Sequence, residues 1–452
     1  MARNILAIDL GASSGRGIVY KFDGDETSCK EVHRFSNSAL EKDGNLYWDI
    51  DSIFEEVCIA LKNADKEFGK IQSIGIDTWG VDFGMIGKDG KLLQNPRHYR
   101  NKVNAETRTS LKDKAYAFFE ISGISDNDFN TLYQLIALKR EGFDFSKVDS
   151  ILFMPQLIGY MLTGKKATEP TIASTSGFFT KDKGFDRAFL AEYGIPYDIF
   201  PEVKQTGQIL GYLKEEIKKT TGIGYDVPVI LTAGHDTACA VAALDSTDAN
   251  PLYISSGTWS LFGTFTDVPI ICREAFDKGY TNELSADGRV CFLKNIIGMW
   301  IVQECRRQWA QAGREYSYSD IVEMAKNAKD KGAYIDVNDA AFMQPGEMAD
   351  KVKNYVSEKY SVELRSEGEI ALCVYKSMAR AYKQALEGLS SITNTNYKSI
   401  HIIGGGANNG FLNGLIGEEL QIPVLVGDSE ASALGNAIVQ YKALQFKDFS
   451  SK

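Results

Sequence analysis

A histidine and an aspartate stand side by side in the stretch LTAGHDTACAV, residues 231–241. The apolar run before His235 and the small residues after Asp236 predict a strand running into a helix, with the pair at the junction. A carboxylate there, positioned by the helix N-terminus, can act as a general base while the imidazole donates to a substrate oxygen. The alternative is structural, because aspartate is a favoured N-cap and His235 would then pack nearby. The local sequence alone favours capping narrowly.

Two turns of small residues have the composition of a phosphate site. They are GASSGR at residues 11–16 and SSGT at residues 255–258, and each joins two predicted strands. Small residues let the backbone approach an anion, and Arg16 adds a permanent charge. Each turn opens a strand rather than a helix, which excludes a Walker-type loop and a dinucleotide fingerprint. Either turn alone favours an ordinary hairpin, but their matching context favours two facing turns that hold one phosphate group.

Two further small-residue stretches precede predicted helices. The turn GGGANN, residues 404–409, can face a ligand with the N-terminus of the next helix, or can simply be a closely packed turn. In GDSEASALGN, Asp428 or Ser429 is a candidate N-cap. The residues Ala431 to Gly435 then leave one helix face nearly bare. That face can admit an adenine or another helix, and the sequence favours the helix.

Carboxylates end two of the predicted strands. Asp9 follows a mostly apolar run, where a charge needs a partner. A metal–phosphate complex and a hydrogen bond to a neighbouring turn fit Asp9 equally well. Asp77, Trp79 and Asp82 lie at the tip of another strand, where polar and aromatic groups suit a sugar. The alternative for Trp79 is packing in a core.

The composition is that of a soluble globular protein, with 44% hydrophobic and 24% charged residues. A net charge of -10 argues against binding a nucleic-acid backbone. Seven scattered cysteines without a paired spacing indicate a reducing compartment, and no signal peptide or membrane span is predicted. We therefore expect a cytoplasmic protein that binds neither nucleic acid nor membrane. The sequence gives no indication of its oligomeric state.

A strand–turn–strand pattern occurs twice, in NILAIDLGASSGRGIVYKF and in NPLYISSGTWSLFGTF. A chain of 452 residues is too long for one ordinary core, so the repeat suggests two duplicated domains. We predict an N-terminal domain at residues 1–245 and a C-terminal domain at residues 246–452, with a cleft between them. Within the first domain the sequence predicts one helix at residues 130–141 and another at residues 154–162. It predicts a Thr/Ser-rich loop at residues 169–176.

Nine stretches spread over the chain carry a resemblance to the FGGY family of carbohydrate kinases. In order they are AIDLGASSGR, SIGIDTWGVDF, FNTLYQL, LTG, AGHDTACAV, SSGTWSL, LKNIIGMW, IIGGGANN and EASALGN. The resemblance implies an α/β fold of two ribonuclease H-like domains of the actin/hexokinase ATPase type, with ATP and a sugar in the interdomain cleft. The first domain would hold most of the sugar site and the second most of the nucleotide site.

The same resemblance implies roles for individual residues. Asp236 corresponds to the catalytic base, and His235 and Gly80 correspond to sugar contacts, next to the candidates Asp77, Trp79 and Asp82. The ATP-contacting positions are matched by Ala12, Ser13, Ser14, Gly15, Arg16, Thr258, Asn295, Gln303, Gly405 and Gly406. ATP and Mg²⁺ are the expected cofactors. Asp9 would hold the metal through water, and Asp236 is a second candidate ligand.

The stretches DTWGVDF and LKNIIGMW are most similar to family members that phosphorylate L-rhamnulose, which implies the formation of L-rhamnulose 1-phosphate from ATP. Those members usually carry Tyr-Arg-Asp-x-Arg after DTWGVDF, whereas this chain has Tyr99-Arg100-Asn101-Lys102-Val103, and Gln156 stands where aspartate is usual. The changes at Asn101 and Val103 leave another ketose, L-fuculose or a pentulose, as an alternative. A third interpretation is an actin-like regulatory ATPase.

Overall fold

The computed structural model describes residues 2–24, 26–182 and 184–450. The chain forms two compact units: the first comprises Met1–Ala243, Thr266–Phe292 and Ala431–Lys452, and the second comprises Leu244–Phe265 and Leu293–Glu430. The first segment of the first unit ends at Ala243, close to the predicted domain boundary after residue 245. The units are nevertheless not two contiguous halves, because two later segments belong to the first unit.

The strands of the two units are numbered in chain order. They are β1 (Arg3–Leu10), β2 (Ser14–Asp23), β3 (Glu26–Ser36), β4 (Ala39–Lys42), β5 (Asn45–Trp48), β6 (Ser73–Thr78), β7 (Phe83–Gly87), β8 (Val148–Phe153), β9 (Phe179–Thr180), β10 (Gly184–Phe185), β11 (Ile209–Tyr212), β12 (Pro228–Ile230), β13 (Leu252–Ser256), β14 (Trp259–Thr266), β15 (Tyr280–Leu284), β16 (Val290–Ile297), β17 (Ile400–Ile403) and β18 (Val424–Val426).

The α-helices are numbered in the same way. They are α1 (Ile50–Phe68), α2 (Lys102–Ser110), α3 (Ala115–Ser122), α4 (Thr131–Arg140), α5 (Met154–Thr163), α6 (Pro170–Ser174), α7 (Arg187–Glu192), α8 (Glu215–Thr221), α9 (Asp236–Ala242), α10 (Arg273–Asp277), α11 (Trp300–Gln311), α12 (Tyr318–Lys326), α13 (Met348–Tyr360), α14 (Glu367–Thr393), α15 (Gly410–Leu420) and α16 (Ala431–Ser450).

The main sheet of the first unit has the strand order β11-β12-β6-β1-β2-β3. Strand β1 is antiparallel to β2 and parallel to β6, and β6 is parallel to β12. The apolar residues of β1 are buried on both faces: Leu6 and Ile8 join a core with α1 and α5, while Ile5 and Ala7 join a core with α16. This double burial explains why β1 reads as a nearly continuous apolar run.

Helix α16 belongs to the first unit because its small residues let it pack closely there. Ala433 and Ala437 cover Ile5 and other apolar residues of β1 and β2. At Gly435 the backbone of α9 approaches so closely that an added Cβ would lie 1.8 Å from the carbonyl oxygen of Cys239. The bare helix face therefore receives another helix, as the sequence favoured. This packing is the physical reason why the predicted C-terminal domain, residues 246–452, is not one compact unit.

The second unit contains a sheet with the strand order β16-β14-β13-β17-β18. Strand β13 is antiparallel to β14 and parallel to β17, and β17 is parallel to β18. The sequence β2-β1-β6-β12 in the first unit has the same directions as β14-β13-β17-β18 in the second. The repeated strand–turn–strand pattern thus corresponds to a repeated strand arrangement.

The two helices predicted in the first domain agree with the structure, whereas the loop predicted at residues 169–176 does not. Helix α16 begins at Ala431, so neither Asp428 nor Ser429 immediately precedes it. Helices α4 and α5 lie where the sequence predicted them, but Pro170–Ser174 forms a helix instead of a loop. The carboxylate of Glu169 accepts hydrogen bonds from the backbone N–H groups of Thr171 and Ile172, and Pro170 occupies a position where no N–H is needed. Over residues 2–24, 26–182 and 184–450, no helix is both long and apolar enough to cross a membrane.

Candidate active site

The His-Asp pair lies at the predicted strand-to-helix junction, between β12 and α9. Helix α9 begins at Asp236, and His235 occupies the N-cap position without a side-chain capping bond. Asp236 Oδ1 accepts hydrogen bonds from the backbone N and the hydroxyl of Thr237, at 2.6 and 3.2 Å. Asp236 is therefore the first residue of the helix and not its N-cap, but its carboxylate still accepts a backbone N–H of the first turn. Its side chain is one-third exposed, at 33%, so the carboxylate is accessible to a ligand.

The backbone just before the pair is fixed by a buried carboxylate that the sequence analysis missed. Glu169 Oε2 accepts the backbone N–H of Gly234 at 3.0 Å, and the hydroxyl of Thr171 accepts that of His235 at 3.3 Å. The carbonyl of Gly234 accepts from Thr78 N on β6 at 2.9 Å. Burial raises the pKa of Glu169, against hydrogen bonds from Thr171 and Thr206. These contacts fix the position of the His235 backbone.

The imidazole of His235 lies between two carboxylates of the first unit. Its Nε2 is 3.3 Å from Asp236 Oδ1, and its Nδ1 is 3.2 Å from Glu283 Oε2 on β15. Burial lowers the pKa of His235, but the charges of Glu283, Asp236 and Glu169 outweigh it, so the pKa is raised above the ordinary histidine value. No local motif marks Glu283 in the sequence, because it lies far along the chain from the residue it faces.

Three carboxylates of the first unit influence one another electrostatically. Asp9 and Asp77 are register partners on parallel strands, and Arg16 is the partner of Asp9 across the β1–β2 hairpin. Arg16 Nη2 donates to Asp9 Oδ2 at 2.7 Å. Burial, together with the charge of Asp9, raises the pKa of Asp77. Burial also raises the pKa of Asp236; His235 opposes this shift and the charge of Asp9 adds to it. The charge of Asp9 thus disfavours ionisation of both Asp77 and Asp236.

The carboxylate of Asp77 accepts a hydrogen bond from one amide side chain of α16, and a second amide of that helix supports the first. Asn436 Nδ2 donates to Asp77 Oδ2 at 2.6 Å, and Gln440 Nε2 donates to Asn436 Oδ1 at 2.6 Å. Gln440 Oε1 in turn accepts from the hydroxyl of Ser73 at 2.7 Å. A Cβ at Gly75 would lie 2.5 Å from both amides, so this glycine leaves room for them. Asp77 is completely buried and presents no surface to a sugar, because its carboxylate faces α16.

Asp82 is also completely buried and organises an aromatic cluster. Its Oδ2 accepts from Trp48 Nε1 at 2.6 Å, Trp79 Nε1 at 3.0 Å and Tyr99 N at 3.3 Å, while Oδ1 accepts from Gln134 Nε2 at 2.9 Å. Burial raises the pKa of Asp82 to about 7, and these four donors oppose the shift. Like Asp77, Asp82 is placed to hold neighbouring groups and not to touch a ligand. The direct sugar contact expected for the two aspartates therefore does not fit their burial.

The segment between Trp79 and Asp82 has a strained backbone. Val81 has φ 68, which is an outlier for a β-branched residue. Its N–H donates to Thr175 Oγ1 at 3.0 Å, and its carbonyl accepts from Thr131 Oγ1 at 2.6 Å. Such strain costs on the order of 1–3 kcal/mol and persists where the surroundings enforce it, often at functional sites. Gly80, the expected sugar contact, is partly exposed next to this residue, whereas Trp79 is largely buried.

The departure from the family pattern at Asn101 has a local structural reason. Its Oδ1 accepts from Leu46 N at 2.8 Å, and its Nδ2 donates to the carbonyls of Leu46 and His98 at 2.9 and 2.8 Å. An ionised aspartate can accept the first bond but cannot donate the other two. Asn101 therefore joins β5 to the start of α2. Val103 is partly buried within α2, and nothing in the structure explains the loss of the usual arginine there. Gln156 is buried in α5.

The first predicted phosphate turn is a tight hairpin. Gly11 N donates to Ser14 O at 2.9 Å, and Ser13 is exposed while Ala12 and Ser14 are partly exposed. Gly15 is different, because a Cβ there would lie 2.3 Å from the ring of Phe35 on β3. The absence of a side chain at Gly15 is thus explained by packing within the sheet.

In the second unit, several residues expected to contact ATP lie near one turn. The hydroxyl of Thr258 donates to Gln303 Oε1 at 3.5 Å, and the carbonyl of Thr258 accepts from Gly298 N and Trp300 N at 3.1 and 3.2 Å. These bonds tie the β13–β14 turn to the start of α11. Asn295, on β16, is partly exposed.

The GGGANN turn of the same unit is closely packed on one side and open on the other. A Cβ at Gly406 would lie 2.0 Å from Ser256 Oγ, and Gly404 has φ 82, so these two glycines are required by close packing and backbone conformation. A Cβ at Gly405 would meet no described atom within 4 Å. The open side of the turn is therefore at Gly405.

The carboxylates of the first unit fit a metal only as a partial ligand set. Among the residues that the structure describes, no group of three or more His, Cys, Asp or Glu side chains is arranged to hold an ion. Mg²⁺ at nucleotide sites is commonly bound by one or two carboxylates, water and substrate phosphates. Asp9 and Asp236, which influence each other electrostatically, are the carboxylates of this cluster that suit a cation arriving with a nucleotide.

Two family models together match almost the whole chain. The N-terminal domain of the FGGY family of carbohydrate kinases matches residues 4–243, and the C-terminal domain of that family matches residues 252–444. The chain belongs to the FGGY family of carbohydrate kinases. It is a sugar kinase, an enzyme that transfers a phosphoryl group to a carbohydrate hydroxyl with ATP as the phosphoryl donor of the family. This membership is not compatible with the third interpretation, an actin-like regulatory ATPase.

Similar curated proteins carry the name rhamnulokinase. One from Bacteroides thetaiotaomicron is 37% identical over 444 residues, which are 97% of this chain and 90% of that protein. One from Bacillus subtilis is 36% identical over 441 residues, 96% of this chain and 89% of that protein. The chain therefore aligns with these relatives over nearly its full length.

Solved structures of sugar kinases share the fold. A ligand-bound xylulose kinase from Lactobacillus acidophilus matches with a TM-score of 0.78 and 20% identity, over 98% of this chain and 90% of that one. Plasmodium falciparum glycerol kinase with ADP matches with a TM-score of 0.76 and 14% identity, over 98% of this chain and 90% of that one. The predicted two-domain α/β fold of the actin/hexokinase ATPase type is confirmed.

Proposed function

We propose that this sugar kinase phosphorylates L-rhamnulose at its primary hydroxyl and forms L-rhamnulose 1-phosphate, with Asp236 as the general base. The substrate is supported by curated relatives named rhamnulokinase, at 36–38% identity over 96–97% of the chain. The assignment of Asp236 as the general base is supported by its accessible carboxylate at the β12–α9 junction, where the environment raises the pKa of Asp236. A raised pKa makes a carboxylate a stronger base near neutral pH.

The reaction requires one proton transfer and one phosphoryl transfer. The sugar hydroxyl attacks the γ-phosphorus of ATP in line, Asp236 accepts the hydroxyl proton, and the bond between the γ-phosphorus and the β–γ bridging oxygen breaks to release ADP. Positioning and charge stabilisation supply most of the acceleration in such transfers. Base assistance supplies roughly 10²–10⁴-fold.

Residues on both units are proposed to bind the substrates. His235 and the Gly80 backbone contact the sugar beside Trp79, while Asp77 and Asp82 hold these groups in place. In the first unit Ala12, Ser13, Ser14 and Arg16 contact phosphate, whereas Gly15 serves the packing of the turn. In the second unit Thr258, Asn295, Gln303, Gly405 and Gly406 contact the nucleotide, with Gly405 as the open glycine. Small residues and N–H groups of this kind suit an anionic ligand.

Mg²⁺ bound together with ATP would neutralise phosphate charge during the transfer. Asp9 would hold it through water, because Mg²⁺ gives up its hydration shell reluctantly, and Asp236 is the second candidate ligand. Arg16 already pairs with Asp9 at 2.7 Å, so this arginine also fixes the orientation of the Asp9 carboxylate. We also expect the protein to act in the cytoplasm.

Another ketose remains the second candidate, because Val103 replaces the usual arginine. The replacement at Asn101 gives that candidate little support, since the Asn101 side chain is engaged with Leu46 and His98.

The discriminating experiment measures ADP release with a panel of ketoses. The purified protein is assayed with ATP, Mg²⁺ and L-rhamnulose, L-fuculose, L-ribulose or D-xylulose, and the product phosphate is located by NMR. We expect the highest kcat/KM with L-rhamnulose and a phosphate on O1. A higher kcat/KM with another ketose would disprove the substrate. ADP release that does not depend on any sugar would disprove the kinase assignment itself.

A further inference from the structure

The segment Thr266–Phe292 returns to the first unit and places three consecutive polar side chains of β15 in its interior. Thr281, Asn282 and Glu283 are all at least nine-tenths buried. Thr281 Oγ1 accepts the N–H of Ser125 at 3.2 Å, and Asn282 Nδ2 donates to Gly123 O at 2.9 Å. These two side chains connect β15 to the segment after α3. Neither bond involves the His-Asp pair.

Glu283 differs from its two neighbours because it faces the candidate active site. Its Oε2 lies 3.2 Å from His235 Nδ1. Neither of these two buried atoms has a hydrogen-bond partner among the described residues, so their contact at 3.2 Å is an ion pair and not a formed hydrogen bond. A buried carboxylate without a partner is costly, and the nearby imidazole is the group that can compensate the burial of Glu283.

We propose that Glu283 is a positioning residue, which pairs with the Nδ1 edge of the His235 imidazole and thereby sets the orientation of the ring. With Nδ1 committed to Glu283, the opposite ring nitrogen, Nε2, is directed to the Asp236 carboxylate, 3.3 Å away. The ring edge that carries Nε2 is then available next to the base, where the acceptor hydroxyl of the sugar must bind. The expected effect of Glu283 on catalysis rests on the proposed function. The expected contact between Glu283 and His235 does not.

The surroundings allow the ring little other freedom. Glu169 and Thr171 fix the backbone at Gly234 and His235, and the His235 side chain is only 10% exposed. A histidine whose second nitrogen faces a carboxylate keeps a defined ring orientation, as in other histidine–carboxylate pairs at functional sites. Glu283 thus acts through His235 and has no direct contact with the base.

The kinetic test compares Glu283→Ala with Glu283→Gln. The alanine variant removes the acceptor, and we expect kcat/KM for the ketose to fall about 10- to 100-fold, as for loss of a hydrogen bond to a charged group, with the KM for ATP unchanged. The glutamine variant keeps an oxygen that can accept from Nδ1, so it is expected to recover most of the loss. Thr281→Val, on the same strand, controls for general damage to β15.

The structural test needs neither sugar nor ATP. The chain has four histidines, so ¹⁵N-labelled imidazole signals can be assigned to His235 by comparison with His235→Asn. We expect Nδ1 of His235 to carry a proton in the wild-type protein and the ring signals to shift in Glu283→Ala but not in Thr281→Val. An unprotonated Nδ1 in the wild type, or unchanged signals in Glu283→Ala, would overturn the inference. If no ketose is phosphorylated, the proposed function fails while the NMR result still decides the role of Glu283.

Discussion

At Asp236, burial, His235 and Asp9 together determine how readily the carboxylate accepts a proton. Asp236→Asn keeps the size of the side chain and removes its basicity, so we expect normal folding and sugar phosphorylation slowed by at least about a hundredfold. Because the pKa of Asp236 is raised, kcat/KM of the wild type should fall as pH decreases through that raised value, at a higher pH than for an ordinary aspartate. Initial rates measured from pH 5 to 9 test this expectation (a range of roughly two units on each side of neutrality).

The control for this variant is its thermal unfolding, which should match that of the wild type. Turnover close to the wild-type rate in a correctly folded Asp236→Asn protein would refute the base assignment.

Asp82 stabilises the aromatic cluster, because its carboxylate accepts hydrogen bonds from two indoles. Its pKa of about 7 means that the carboxylate takes up a proton as pH falls below neutrality, and one accepting oxygen then becomes a donor. We expect tryptophan fluorescence to change with a midpoint near pH 7, because Trp48 and Trp79 both donate to Asp82. A fluorescence titration of the wild type and Asp82→Asn measures this, and the transition should be absent from the variant.

The neighbouring His98 does not confuse that titration. Its ring stacks on Trp48 at 4.1 Å, but burial, with a contribution from Arg100, lowers the pKa of His98 to about 3, so it stays neutral near pH 7. An identical transition in Asp82→Asn would show that another group is responsible.

The sequence alone was informative for residues whose neighbours in the chain define their surroundings. His235 and Asp236 could be found because a strand-to-helix junction lies around them. Glu283 could not, because its partner is 48 positions away by residue number (283 − 235), and no periodicity encodes such a contact. For Asp77 and Asp82 the sequence predicted sugar contacts, whereas in the structure their partners are Asn436 and the indoles, which lie far from them along the chain or form a cluster that no local pattern encodes.

At the scale of elements, the contact between α16 and α9 depends on the absence of one side chain. In Gly435→Ala the new Cβ would lie 1.8 Å from Cys239 O, so α16 must move away from α9. We expect the free energy of unfolding to decrease by about 1–3 kcal/mol or more, as for an overpacked core. Urea unfolding monitored by circular dichroism measures the loss.

Gly414→Ala is the matched control for that substitution. Gly414 also lies within a helix, α15, but a Cβ there would meet no described atom within 4 Å. Alanine should therefore stabilise this helix by about 0.5–1 kcal/mol. Equal effects of the two substitutions would mean that helix propensity, and not the close contact, determines stability at Gly435.

Elements with a clear period or clear capping residues could be predicted from sequence. Helix α4 is bounded by Asn130 and Glu141, as expected, and α5 ends within one residue of its predicted end. The exception is α6, where threonine and serine favour loops locally. Its short helix exists because Glu169, itself fixed by Gly234 and Thr206, caps it. That tertiary support is not visible in the local sequence.

At the scale of the whole molecule, the first unit is assembled from three separate segments. A fragment of residues 1–243 contains the sequence that matches the N-terminal family domain but lacks β15 and α16. Ile5, Ala7 and Ile18 would then lose their cover, and apolar surface on that sheet face would be exposed to water. We expect the fragment to bind a hydrophobic dye and to show no cooperative thermal transition, in contrast to the full chain.

A cooperative transition of the isolated fragment would contradict this expectation. The discontinuity itself could not be predicted, because family patterns and repeats follow the order of the chain, whereas compact units follow packing. The repeated strand–turn–strand pattern indicated the similar strand arrangement in each unit, but it carried no information about where α16 would pack.

The hydrogen bond from Asn436 to Asp77 also has a consequence for protein synthesis. A nascent chain that has been translated only as far as residue 430 contains Asp9, Asp77 and Asp236, but not the amide that partners Asp77. Domains begin to fold during translation from their N-terminal side. Asp77 therefore gains this hydrogen-bond partner only after α16 has been translated, so the acidic centre is completed by the last helix of the chain.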